Sequence, residues 1–167
     1  MKPEISIRAA TAADADLLYA LMRALAEYEG DVRHLLIDRE ALRRDGPGGA
    51  ERFGAFIAES DGEALGFVSY TRTYAIWAAH ARLLIDDVYV SDAARGRGVG
   101  ERLMQAVREL ARSEGAGSIR WTVQPGNTRA QAFYARLGAT GMERQVWTWW
   151  VDGREGGGRK QEMKNEK

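Results

Sequence analysis

The sequence predicts one α/β (α+β) domain, a mixed central β-sheet flanked by helices. Three observations carry that expectation. Apolar segments with a period of two alternate along the chain with segments whose apolar residues recur at helical spacing. The apolar run at residues 83–90 passes through Ser91-Asp92-Ala93-Ala94 and three alternate glycines, Gly96, Gly98 and Gly100, into an amphipathic run, which reads as strand, glycine loop and helix start. A chain of 167 residues, 45% hydrophobic and 29% charged, can bury one real core but is too short for two ordinary domains.

Residues 5–9 alternate apolar and polar side chains and read as a first strand. Thr11 with Asp14 marks a helix start, and Leu17, Leu18, Leu21, Met22 and Leu25 place a helix over about residues 12–27, ended by Gly30. A polar link with Val32, His34 and Leu36 leads to a short helix capped by Asp38 and broken by Gly46-Pro47-Gly48-Gly49. Segments 53–59 and 64–74 read as strands around an Asp61-Gly62 turn, and a link with Trp77 and His80 precedes the strand at 83–90. Beyond the glycines, Val99, Leu103, Ala106, Val107 and Leu110 form the inner face of a helix ending near Gly115. Residues 119–123 are expected as a strand stopped by Pro125-Gly126, and Asn127 as the cap of a helix whose Ala130, Phe133, Tyr134 and Leu137 share a face. Val146, Trp147, Thr148, Trp149, Trp150 and Val151 favour a last strand. The domain is therefore expected over residues 4–151, and 152–167, glycine-rich and without apolar pattern, as a mobile tail.

Lys plus Arg and Asp plus Glu both number 24, so no net field favours nucleic acid or an anionic membrane as partner. The absence of cysteine removes disulfides, thiolate nucleophiles and most structural zinc patterns, and His34 and His80 have no partner at ligand spacing, so no metal is expected. The N-terminus lacks a signal-peptide core and no apolar run approaches membrane-spanning length. A cytoplasmic location is the default expectation.

Alternate glycines let successive backbone N–H groups turn into one concavity, and the helix behind them adds its unpaired first-turn donors and positive dipole end. Such a loop holds phosphate, with the N–H groups of Arg97, Gly98, Val99 and Gly100 as donors. Because Glu101 follows Gly100, the loop is neither a G-x-G-x-x-G dinucleotide fingerprint nor a Walker loop. Arg95-x-x-Gly98-x-Gly100 resembles the acetyl-CoA pyrophosphate motif of the GNAT superfamily of N-acetyltransferases, and the order of elements over residues 5–151 is similar to that superfamily's. The resemblance implies acetyl-CoA as cosubstrate, with contacts from Val88, Val90, Arg95, Gly96, Arg97, Gly98, Val99 and Gly100.

Asn127-Thr128-x-Ala130-x-x-Phe133-Tyr134 resembles the second motif of that superfamily, which implies cofactor contacts from Asn127 and Phe133 and makes Tyr134 the general acid. A buried tyrosine hydroxyl also needs a polar partner, which a leaving thiolate would be. Asp86 and Asp87 interrupt an apolar strand at a cost unless they are paired or used, and strict alternation would put them on opposite faces.

Leu25-Ala26-Glu27-Tyr28-Glu29, residues 7–14, residues 84–90 and residues 127–134 look like the diamine (spermidine/spermine) acetyltransferase branch. That resemblance implies Tyr28, Glu29 and Asp87 as substrate contacts and Asp86 as the base, through water. Asp stands where that branch has Glu, one methylene shorter. Acidic residues around an acceptor pocket suit a cationic substrate, since a free primary amine is almost wholly protonated at neutral pH. The expected activity is acetyl transfer from acetyl-CoA to a small cationic amine: a polyamine, a diamine or a lysine-like amino acid. Two alternatives stay open, another acceptor (an aminoglycoside, an amino-acid derivative or a protein N-terminus) or an acyl-CoA-binding module without catalysis. Trp147, Trp149 and Trp150 serve a core or a subunit contact, and many members of the superfamily dimerise through their last strands, so a homodimer is expected.

Overall fold

A computed structural model describes residues 4–152 of the chain. In chain order it has β1 (Ser6–Ala9), α1 (Ala15–Glu29), α2 (Arg39–Asp45), β2 (Gly54–Ser60), β3 (Glu63–Ala75), β4 (His80–Val90), α3 (Val99–Ser113), β5 (Ser118–Arg120) and α4 (Thr128–Arg136), with three short 3₁₀ turns between them. One sheet has the order β1-β2-β3-β4-β5. The first four strands run antiparallel and β5 joins β4 in parallel through the α3 crossover. The mixed sheet flanked by helices is the expected architecture.

Alternation sorts each strand between two cores. Ala55, Ile57 and Phe67 point to α1 and α2, where they pack with Leu18, Leu21, Met22, Leu25 and Leu42. Ala58, Val68, Tyr70, Leu83 and Ile85 point the other way, onto Val99, Leu103, Val107 and Ala111 of α3. Thr11 and Asp14 form the expected capping box, Asp14 accepting from the Thr11 N–H at 2.7 Å and hydroxyl at 3.0 Å. Asp38 caps α2 by accepting from the Ala41 N–H. The Asp61-Gly62 turn carries positive φ at both residues, the geometry that matches the twist of a two-residue hairpin.

The C-terminal part departs from expectation. The strand expected over 119–123 is only Ser118–Arg120, and residues 146–151 form no strand. Trp147 is 86% exposed and Trp149 91% exposed. Strand propensity measures how well side chains pack on a pleated, paired surface, and in the described residues this segment pairs with no strand. The tail expected beyond Asp152 lies outside the described residues.

Candidate active site

The site begins with one extra residue in β4. Ser69 of β3 faces Asp87 while Tyr70 faces Ile85, so Asp86 is bulged out of the ladder. A bulge shifts the phase of everything after it. Leu83 and Ile85 face α3, and past the bulge it is Val88 and Val90 that pack against that core, while Tyr89 packs with the α1 side. Asp86, before the shift, and Asp87, after it, therefore share the α1 face, and both line one cavity of about 340 Å³. The expectation of opposite faces fails for this reason.

The cavity is walled by the C-terminal half of α1, the α1–α2 connection, Phe53 and the β3–β4 pair. Residues 22, 25, 26 and 29 recur at helical spacing, which brings Met22, Leu25, Ala26 and Glu29 to it together. Tyr28, one residue earlier, turns about 100° away. It is 62% exposed and its ring lies 4.3 Å from the Arg95 guanidinium, so it does not join Glu29 in the cavity. Ser69 donates its hydroxyl to Asp87 at 3.2 Å.

The same bulge marks the end of the parallel ladder. β4 pairs β5 only through Arg82, Leu83 and Leu84, which leaves the 86–90 edge of β4 outside any ladder with β5. That edge runs into the glycine loop. Gly96 and Gly98 have φ of 75° and 78°, and Gly98 is the N-cap of α3; the Arg97 N–H, expected as a phosphate donor, instead donates to the Ala94 carbonyl at 3.4 Å. A Cβ on Gly100 would lie 3.3 Å from the Phe133 ring and 3.7 Å from Val90, so α3, α4 and the end of β4 converge closely here. Arg95 is held within the protein, pairing with Asp92 at 2.6 Å and donating Nε–H to the Val90 carbonyl at 3.3 Å. Arg97 is exposed.

Asn127 caps α4 by accepting from the Ala130 N–H at 3.0 Å. Phe133 and Tyr134 are both half-buried, with ring centroids 5.1 Å apart. Trp121 meets Tyr134 at 5.0 Å. Burial pushes the Tyr134 phenol above its ordinary range, so it keeps its proton at neutral pH and can act as a donor. Val99 is fully buried under the loop, anchoring the first turn of α3.

Two titratable residues of the cavity are not among the site residues expected from the sequence. Asp31 and His34 both line it, and the His34 Nδ1–H donates to the Asp31 carboxylate. Gly30, with φ of 71°, lets the chain leave α1 through a bond from the Asp31 N–H to the Ala26 carbonyl at 2.8 Å. A 3₁₀ turn over Val32–His34 follows. Three residues per turn eclipse positions i and i+3, so the two side chains meet; reading the link as a 3₁₀ turn would have found the pair.

The GNAT acetyltransferase family model matches residues 17–139. The chain belongs to the GNAT acetyltransferase family. A thialysine N-epsilon-acetyltransferase of Bos taurus is 32% identical over 86% of this chain and 89% of its own length. A human spermidine/spermine N(1)-acetyltransferase-like protein 1 is 27% identical over 80% of this chain and 20% of its own length. Among solved structures, the aminoglycoside N-acetyltransferase AAC(6')-Iy in complex with CoA superposes with a TM-score of 0.71 at 23% identity, covering 90% of this chain and 97% of that one. GNAT acetyltransferases use acetyl-CoA, and in the glycine loop of this member Gly96 and Gly98, both at positive φ, have open space where a side chain would stand.

Proposed function

We propose that this GNAT acetyltransferase transfers the acetyl group of acetyl-CoA to a primary amine of a small cationic substrate, a polyamine, diamine or lysine-like amino acid. One observation carries the reading: the bulge at Asp86 turns two carboxylates into one cavity, on the strand whose 86–90 edge lies outside the β5 ladder and leads to the glycine loop.

Acetyl-CoA, when bound, supplies an acyl group activated as a thioester. The main-chain N–H groups of Gly98, Val99 and Gly100 would hold its diphosphate, with the 88–90 edge of β4, Asn127 and Phe133 along its arm. Asp86, Asp87 and Glu29 give the cavity a negative lining that draws in an ammonium group. The amine must lose a proton before it attacks, and Asp86 accepts it through water. Tyr134, kept protonated by burial, supplies a proton to the sulfur that leaves.

The relatives' names, thialysine and spermidine/spermine, support a cationic acceptor. The test is a panel of diamines, polyamines, lysine analogues, aminoglycosides and neutral primary amines assayed for CoA release. Preference for diamines or lysine analogues sustains the reading, preference for aminoglycosides or neutral amines overturns the acceptor, and no turnover at all overturns the enzyme.

The exposure of Trp147, Trp149 and Val151 supports a homodimer in which this segment meets a second copy. Sedimentation as a dimer, reduced to a monomer by Trp147→Ser with Trp149→Ser, is the expected result. Among the described residues no helix is long and apolar enough to cross a membrane, and the lack of cysteine suits the proposed cytoplasmic location.

A further inference from the structure

The acceptor cavity takes its acidic side chains from different elements of the fold. Asp86 and Asp87 come from β4, the strand whose open edge leads to the glycine loop. Asp31 and His34 come from the α1–α2 connection. Met22, Leu25 and Phe53 add apolar surface to the same lining. Such a space suits a molecule with a polar group at each end and methylenes in the middle.

We propose that the Asp31–His34 pair reads the far, non-reacting end of the acceptor and selects for a second ammonium group there. The proposal rests on the acetyltransferase reading above, which makes the aspartate end the reacting one.

The pair is built for this. The side chains are 12% exposed for His34 and 21% for Asp31, at the cavity wall rather than in open solvent. The imidazole Nδ1 meets the Asp31 carboxylate, which fixes the carboxylate at the cavity wall. An ammonium donates hydrogen bonds and accepts none, and the pair offers it the remaining accepting capacity of the Asp31 carboxylate. Glu29, also on the lining, adds a further negative charge. A neutral alkyl end makes none of these bonds and would leave the polar atoms without water, which is how a polar subsite rejects an apolar analogue.

The experiment compares a diamine with the monoamine of the same chain length, in the intact protein and in Asp31→Asn, His34→Gln and His34→Leu. The unaltered protein is expected to favour the diamine in KM. Asp31→Asn and His34→Leu should raise the KM for the diamine about tenfold, the loss of one charge-assisted hydrogen bond, while kcat changes less than KM and the diamine preference shrinks. His34→Gln keeps a hydrogen-bonding group and should lose less than His34→Leu. CoA affinity and thermal midpoint, measured on each variant, report misfolding separately. Variants that fold, bind CoA and keep the full diamine preference overturn the assignment of the pair while the acetyltransferase reading stands. Absence of turnover of either amine by the unaltered protein overturns both.

Discussion

The two ends of the sheet are built differently. At the β1–β2–β3 end every strand lies in an antiparallel ladder, with one register shift at Ala58/Glu59, and Ile57, Phe67 and Val68 are fully buried. Arg8 ties β1 to the start of α1 through Asp14, with two bonds of 2.8 Å, and to β2 through Glu59 at 2.7 Å. At the β4–β5 end the ladder stops after three residue pairs, β4 bulges, and α4 buries no residue fully. Long ladders and matched charges hold the first end together; at the second, the open edge of β4 and the bulge that turns Asp86 and Asp87 to one face set up the proposed chemistry. Substitutions at the first end should therefore cost stability, and those at the second turnover or binding.

The sharpest test is Tyr134→Phe. Removing the hydroxyl while keeping the ring against Trp121 and Phe133 should lower kcat by about 10²–10⁴, the range for loss of a general acid. CoA affinity and thermal midpoint should stay close to those of the unaltered protein. Because burial raises the phenol above its usual range, the unaltered protein should lose activity only when the pH passes that of ordinary tyrosine, and the variant should lack that alkaline limb. A variant with near-normal turnover would make Tyr134 a packing residue. At the other end, Phe67→Ala should cost about 3–5 kcal/mol in urea unfolding, since Phe67 is wholly buried beneath α1, with kcat of the folded fraction little changed.

How much of this could be read from the residues follows the same division. Alternation and helical spacing located every element of the first end, because there local preference and tertiary packing agree. The glycine loop and the Asn127 cap were equally legible, being local chemistry at fixed spacing. The bulge was not: nothing in Leu84-Ile85-Asp86-Asp87-Val88 says where the register with β3 slips, and that slip decides which face both aspartates take. The strand expected at 146–151 failed for the complementary reason. Its residues favour a strand, but a strand exists only with a partner, and partners are set by the whole chain or by another copy.

Gly100→Val probes the junction of the two ends. Its Cβ would already sit 3.3 Å from Phe133, and the added methyl groups would push α4 from α3. Overpacking of this kind costs about 1–3 kcal/mol. Because α4 has no fully buried residue, most of that strain should appear as displacement of the loop and α4, lowering CoA affinity about tenfold. Calorimetric titration with CoA measures it. A fall in thermal midpoint with unchanged affinity would place Gly100 with the first end.

Asp14 gives the smallest effect and the clearest sign. Its carboxyl is held down from the usual 3.8 to about 2, chiefly by the Arg8 hydrogen bonds and further by the Thr11 N–H and hydroxyl, against the opposing effect of burial. A pKa lower in the folded than the unfolded state means that the unfolded chain binds the proton first, so the stabilisation is fully present above about pH 4 and is lost as the pH falls toward 2. The shift amounts to about 2 kcal/mol, and Arg8 is open enough to water to reduce that to about 1–2 kcal/mol. Asp14→Asn should therefore unfold in urea with that deficit at about pH 6, and the two proteins should converge as the solution is taken toward pH 2, where Asp14 is itself protonated. A deficit independent of pH would mean that the substitution weakens the helix cap alone and that the Arg8 charge contributes nothing. Acetyl transfer, measured on the folded protein at neutral pH, should be untouched, since Asp14 sits at the end of the sheet far in sequence and in strand order from the bulge.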